Sequence, residues 1–142
     1  MASPALYASG TQVATLTTEH FLSNVNAVGT YTFHVDTSNM AAGDILELRV
    51  YQIELTGGTS RVALYMRYEG AQAADDRQKI SIPVGNDLTD ANSLRFSLQQ
   101  NRISGGTGRN FAWKVLQWTS WLQNIYPYSS RRRLLAQPLR AR

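Results

Sequence analysis

The stretch Asp44–Glu69, DILELRVYQIELTGGTSRVALYMRYE, decides the fold class. Two runs of period-two alternation flank a Gly-Gly pair. In the second run Val62, Leu64, Met66 and Tyr68 fall on one side, and Arg61, Ala63, Tyr65, Arg67 and Glu69 on the other. That is the pattern of a half-buried β-strand. The first run changes parity midway: Leu46, Leu48 and Val50 share a side, and then Ile53 and Leu55 take it up. A regular strand cannot do this without an extra residue, so the pattern predicts a β-bulge at Tyr51–Gln52. With Gly57–Gly58 as a two-residue hairpin turn, where glycine tolerates positive φ, the expected pairs are Glu54–Arg61, Ile53–Val62, Val50–Leu64, Arg49–Tyr65, Leu48–Met66 and Glu47–Arg67. Apolar residues then face apolar ones throughout, each pair contributing roughly 0.2–1 kcal/mol.

The same alternation spreads outward from this hairpin. GTYTFHV puts Tyr31, Phe33 and Val35 on one face, KISIPV puts Ile80, Ile82 and Val84 inward, and SLRFSLQQ puts Leu94, Phe96 and Leu98 inward. FAWKVLQW adds Phe111, Trp113 and Val115, and an early strand is expected over Gln12–Thr17, continuing in broken form towards Val25. DTSNMAAGD, TGGT, EGAQAADD, VGNDLTDAN and SGGTGRN supply turns between them. One inward face per strand predicts an all-β antiparallel sandwich of roughly seven or eight strands, with a jelly roll among its topologies. Residues 1–117 form this domain.

Residues 118–142 differ in kind. WTSWLQNIYPY spaces Trp118, Trp121, Leu122 and Ile125 as one helical stripe, which Pro127 would stop. About two turns are marginal alone in water, so these side chains, with Tyr128, are expected to contact a partner. Five arginines follow: Arg131, Arg132, Arg133, Arg140 and Arg142. They account for the charge balance. Met1–Lys114 holds nine Lys/Arg and ten Asp/Glu, a net of −1, and Val115–Arg142 holds five Arg and no acid, so the total is +4. The basic character belongs to the tail, where it offers an electrostatic contact to nucleic acid or another acidic surface.

The composition excludes several chemistries. The chain has no cysteine, which removes disulfides, zinc-thiolate sites and Cys nucleophiles. No apolar run approaches the roughly 20 residues of a membrane helix, and the N-terminus lacks the pattern of a secretory signal. His20 and His34 lie in polar runs and read as structural. There is no G-x-S-x-G elbow, and SGGTGRN lacks the G-x-x-x-x-G-K-[ST] phosphate cradle and reads as a hairpin loop. Asp36, Asn39 and Asp44, and likewise Asn86, Asp87 and Asp90, read as turn-making side chains rather than calcium ligands. Asp75–Asp76 reads as a solvated pair. The expectation is a protein with no catalytic residues, no metal and no cofactor. Tyr51 and Tyr65, near Arg49 and Arg67 on an outer face, form either a cross-strand ladder or a surface for sugar or protein.

Three stretches carry a resemblance: YASGTQVATLTTEHFLSNVNAVGTYTFHVDTSNMAAGDILELRV (residues 7–50), AQAADDRQKISIPVGND (71–87) and GTGRNFAWKVL (106–116). They resemble small tailed-phage and prophage virion structural proteins, of the capsid-decoration or related β-sandwich kind. Sequences of that kind end shortly after the last of these elements, whereas this chain continues through Gln117–Arg142. The resemblance implies a non-enzymatic virion component, assembled in the host cytoplasm, that decorates or cements the capsid. Its partners would be copies of itself, a trimer first, and the major capsid or other virion proteins. Two other readings stand beside it: a carbohydrate-binding sandwich module, and a coat protein whose Arg tail contacts nucleic acid.

Overall fold

A computed structural model describes residues 3–119 of the chain. They form nine strands: β1 (Ser3–Val13), β2 (Glu19–Val25), β3 (Gly29–Asp36), β4 (Asp44–Gln52), β5 (Arg61–Glu69), β6 (Gln78–Ile80), β7 (Val84–Asn86), β8 (Leu94–Arg102) and β9 (Asn110–Thr119). One sheet runs β1-β9-β3-β6, with β7 also paired to β3, and the other runs β2-β8-β4-β5. All pairings are antiparallel. β6 and β7 pair with opposite ends of β3 and act as one interrupted strand. With that pair counted once, the order is 1-8-3-6 in one sheet and 2-7-4-5 in the other, which is a jelly roll. The nine strands therefore fill eight positions.

The core lies between the sheets. Tyr31, Phe33, Val35, Phe111 and Val115 come from the five-stranded sheet, and Val25, Leu46, Leu48, Val50, Leu94, Phe96 and Leu98 from the four-stranded one. All are buried because strand alternation sends every second side chain inward. Phe33 and Phe96 meet across the gap with ring centroids 5.2 Å apart. Trp113 packs against this core but is only partly buried. Its indole lies over Gly10, where an added Cβ would stand 3.3 Å from the ring.

One end of the sandwich is closed by Asp44, which is fully buried. Its carboxylate stands 3.1 Å from Arg102 Nε and accepts from Arg109 Nε at 3.0 Å, Gln100 Nε2 at 3.3 Å and the Ala41 N–H at 2.8 Å. Four groups from three segments thus hold one carboxylate, which is what burying a charge demands. Asp36 takes the Ser38 N–H and Asp90 the Gly57 N–H, each at 2.8 Å, so these carboxylates organise loops.

Five expectations need correction. A register shift does occur between β4 and β5 beside Val50, but the extra residue is Ala63 on β5, not Tyr51–Gln52 on β4: Val50 faces Leu64 and Tyr51 faces Val62. The reason is position in the sheet. β4 is hydrogen-bonded on both sides and runs against β8 without a shift from Asp44–Arg102 to Gln52–Leu94. An extra residue there would break two ladders, whereas on the edge strand β5 it breaks one. The pairs from Glu47–Arg67 to Val50–Leu64 stand as expected, and Glu54–Arg61 and Ile53–Val62 do not form. The turn is also wider than Gly57–Gly58. β4 ends at Gln52, Ile53 is buried with its N–H on Ser93 O at 3.0 Å, and Leu55 is exposed. Gly57, at φ +77°, stands inside a turn closed by Gly58 N–H to Leu55 O at 2.8 Å.

The parity of KISIPV is the reverse of that expected over Lys79–Ile82, whereas Val84 packs against the core as expected. Lys79 and Ser81 are buried and Ile80 and Ile82 exposed. Ser81 Oγ accepts the Phe33 N–H at 2.9 Å, and its own N–H donates to Phe33 O at 2.8 Å. Lys79 lays its stem inward, with its ammonium 2.8 Å from Asp76 and over the Tyr68 ring. At the N-terminus the first strand is β1, which starts at Ser3 and ends at Val13, and Glu19–Val25 is a separate strand in the other sheet. Finally, Trp118 is part of β9, opposite Pro4 and Thr30, rather than the start of a helix. Trp121, Leu122, Ile125 and Tyr128 lie outside the described residues, as do Arg131, Arg132, Arg133, Arg140 and Arg142.

Candidate functional site

Two outer sheet faces gather the side chains that chemistry could use. On the four-stranded sheet, strand register places Glu19, Gln99, Glu47 and Arg67 in one row across β2, β8, β4 and β5. The adjacent row is Phe21, Ser97, Arg49 and Tyr65. A third brings Asn24, Arg95 and Tyr51 together.

These groups are mutually bonded. Arg49 lies 2.9 Å from Glu47 and 3.7 Å from Glu19, donates to Gln99 at 3.1 Å, and stacks over the Tyr65 ring. Tyr65 donates to Glu47 and Tyr51 to Glu19, each at 2.7 Å. Glu47 has its pKa lowered, first by the Tyr65 hydroxyl and then by Arg49, against the opposing effect of burial. Tyr51 is raised by burial and by Glu19, and Tyr65 by its bond to Glu47. The arrangement therefore holds Glu47 as an anion and both phenols as donors. Phe21 is exposed, with Arg95 over its ring at 3.7 Å, and Tyr51 lies beside it at 5.6 Å between centroids. The result is a flat face of aromatic rings and satisfied charges.

The outer face of the five-stranded sheet is different. Leu6, Ile80 and Ile82 show 63%, 55% and 65% of their surface to water. Leu6 stands opposite Leu116, and Ile80 opposite His34. Between them a polar chain crosses the face. Trp118 Nε1 donates to Thr32 Oγ1 at 3.0 Å, and Thr32 Oγ1 lies 2.9 Å from His34 Nε2. The Thr32 hydroxyl has one proton and two lone pairs, so while accepting from Trp118 it can still bond His34 Nε2 in either tautomer of the ring. Thr32 and His34 are buried although they point away from the core, at 5% and 8% exposure. Burial, and secondarily Lys114, lower the His34 pKa. A recess of about 250 Å³ opens beside it, lined by Ser9, His34, Asp36, Gln78 and Lys114 among others. His20, by contrast, accepts the Thr15 N–H at 3.0 Å and ties a loop.

Of the residues expected to meet a partner, the structure places Trp118 on this second face. Tyr51 and Tyr65 stand on the first, as their parity predicted. Sequence reasoning missed Leu6, Ile80 and Ile82, and it missed Glu19, Phe21 and Gln99 as neighbours of the tyrosines. Their signal is long-range register, which a single sequence does not display. Among the described residues no cluster of three or more His, Cys, Asp or Glu is placed to hold a metal.

No protein-family model matches this chain, and no curated protein matches it. Among solved structures it is similar to a chain in the structure of infectious bursal disease virus Gt strain, at 12% identity with a TM-score of 0.41. It is similar also to a chain in that of the Gx strain, at 13% and 0.41. In each case 83% of this chain is covered, and the chain spans about a third of the other's length: 30% and 32%.

Proposed function

We propose that the chain is a non-enzymatic structural component of a tailed-phage particle, decorating or joining capsid subunits by protein–protein contact. The observation that carries this reading is the outer face of the five-stranded sheet, where Leu6 on β1 and Ile80 on β6 face water on either side of Trp118, Thr32 and His34, with Ile82 exposed just after β6. Large aliphatic side chains exposed at both edges of one sheet face, with an indole between them, fit a surface that another protein lies across. The resemblance of residues 7–116 to phage virion proteins supports the particle as its place. The jelly roll, a fold of capsid and lectin domains, agrees by fold-level analogy. The mechanism is mass action. A chain that binds the assembled lattice but not the loose subunit stabilises the lattice by about 2.7 kcal/mol at a concentration of 100 Kd. Its partners are the major capsid or another virion protein, and copies of itself. The test is co-sedimentation of the purified chain with capsids that lack it. Binding should be lost in the variant Ile80→Glu/Ile82→Glu, whose changes lie on exposed positions. A wild-type chain that stays in the supernatant would end this reading.

One observation favours a second reading, sugar binding. Phe21 and Tyr65 are exposed in a single cross-strand row, with Glu19, Glu47 and Gln99 alongside. Exposed rings, each with an arginine over one face, beside hydrogen-bonding acceptors and donors, suit a glycan. Tyr65→Ala should then weaken binding on a glycan array at least tenfold, and an array on which the wild-type chain binds nothing would remove this reading.

A further inference from the structure

The two sheets have four edges, and three of them are guarded. β5 carries the bulge at Ala63 together with Arg61, Arg67 and Glu69. β2 carries a register shift between Phe21 and Ser23 together with Glu19 and His20. β6 and β7 have only three residues each. Bulges, charges and shortness are the means by which edge strands resist pairing with other chains.

β1 is different. It is 11 residues long and contains no charged side chain. Its own irregularity lies between Leu6 and Ala8, so Ala8–Val13 runs as a regular strand against β9, from Ala8–Val115 to Val13–Asn110. Among the described residues no strand pairs with its other side. Its exposed face carries Ser9, Thr11 and Val13, with neither bulk nor charge to repel a neighbour. An edge of this kind presents a row of backbone N–H and C=O groups that another extended chain can pair in place of water; of these, the Val13 carbonyl already accepts from Gln12 Nε2 at 2.8 Å.

We infer that Ala8–Val13 pairs antiparallel with the same segment of a second copy, about a two-fold axis, joining two five-stranded sheets into one continuous sheet. A second copy suits this edge because an uncharged strand is compatible with itself in any register, whereas pairing to β5 or β2 of a neighbour would set it beside a bulge and charges. The contact gives assemblies with an even number of chains, where the sequence suggested a trimer. It does not depend on capsid binding and is measured in its absence.

The chain has no native cysteine, so single cysteines at Ser9, Thr11 and Val13 take spin labels cleanly. These side chains leave the sheet plane and do not block pairing. Across a two-fold antiparallel pair the label-to-label distance reaches a minimum at the axis. It rises by roughly 7 Å for each residue moved away, since each copy contributes about 3.4 Å. Dipolar spectroscopy on the full chain should show that V-shaped profile along β1. The variant Ser9→Lys/Thr11→Lys, which sets like charges opposite one another, should weaken dimerisation by at least tenfold in ultracentrifugation, and high salt should partly restore it. If that variant does not fold, the label series still decides. No intermolecular distance along β1, or a minimum found only with labels on β5, would overturn the assignment.

Discussion

A methyl group at position 108 would fall on the carbonyl oxygen of Ala14. Gly108 stands where the β8–β9 loop presses against the end of β1, beside the Ala14 N–H bond to Arg109 O at 2.9 Å. Gly108→Ala should cost about 3 kcal/mol, the upper range of overpacking, measured as a shift of the urea midpoint at unchanged m-value. His34 supplies a test of a different kind. Its folded pKa lies below the ordinary 6.5, first through burial and then through Lys114. The unfolded chain therefore takes up the proton first. Stability is fully present above about pH 6.5 and falls as pH drops through the window down to the lowered value. His34→Asn should flatten the slope of stability against pH in that window. The Glu47 contribution, with its pKa lowered from 4.5, is lost only further down and stays in the variant. A variant that keeps the wild-type slope would place the titration elsewhere.

Among the strands, the placing of irregularities follows how many neighbours each strand has. β4 has two and stays regular, while β5 has one and carries the extra residue. A glycine inserted after Val50 should therefore destabilise at least twice as much as one inserted after Ala63, judged by denaturant titration of the two variants. Equal losses would mean that the β4–β8 ladder does not set the register. The same comparison shows what one sequence can display. The alternation of Leu64–Tyr68 and of Leu94–Leu98 names the inward faces, whereas Val62, expected inward with them, lies beyond the bulge at Ala63, opposite the outward Tyr51, and is exposed. The parity change near Val50 signals an irregularity but not its strand, because that depends on which strand is central. β6 misleads for a related reason. Three residues give no periodicity, and Ile80 and Ile82 point outward because Ser81 bonds the β3 backbone and Lys79 finds Asp76. The outer tyrosines were legible from parity alone, but Glu19 and Phe21 reach them through β8, some 80 residues along the chain.

At the scale of the whole sandwich, the first and last described strands pair with each other. β1 lies against β9 from Ser3–Thr119 to Val13–Asn110, and Trp118 bonds Thr32 on the far side of β9. A chain ending at Thr119 should keep its cooperative thermal transition. One ending at Leu116 loses the partners of Ser3, Pro4, Ala5, Thr30 and Tyr31, and should melt several degrees lower in a calorimetric scan. Equal transitions for the two would show that these last pairings add little. The jelly-roll order also sets a timetable. Of the described strands the first to be made has its partner in the last, so β1 must wait while about a hundred residues are made. Neither sheet completes locally, because β2 likewise waits for β8. Search over such distances makes folding slow, in the range of milliseconds to seconds. For that interval the nascent chain carries an uncharged, unoccupied strand, so the stretch best suited to meeting a sister molecule is also the one most exposed to meeting it too early.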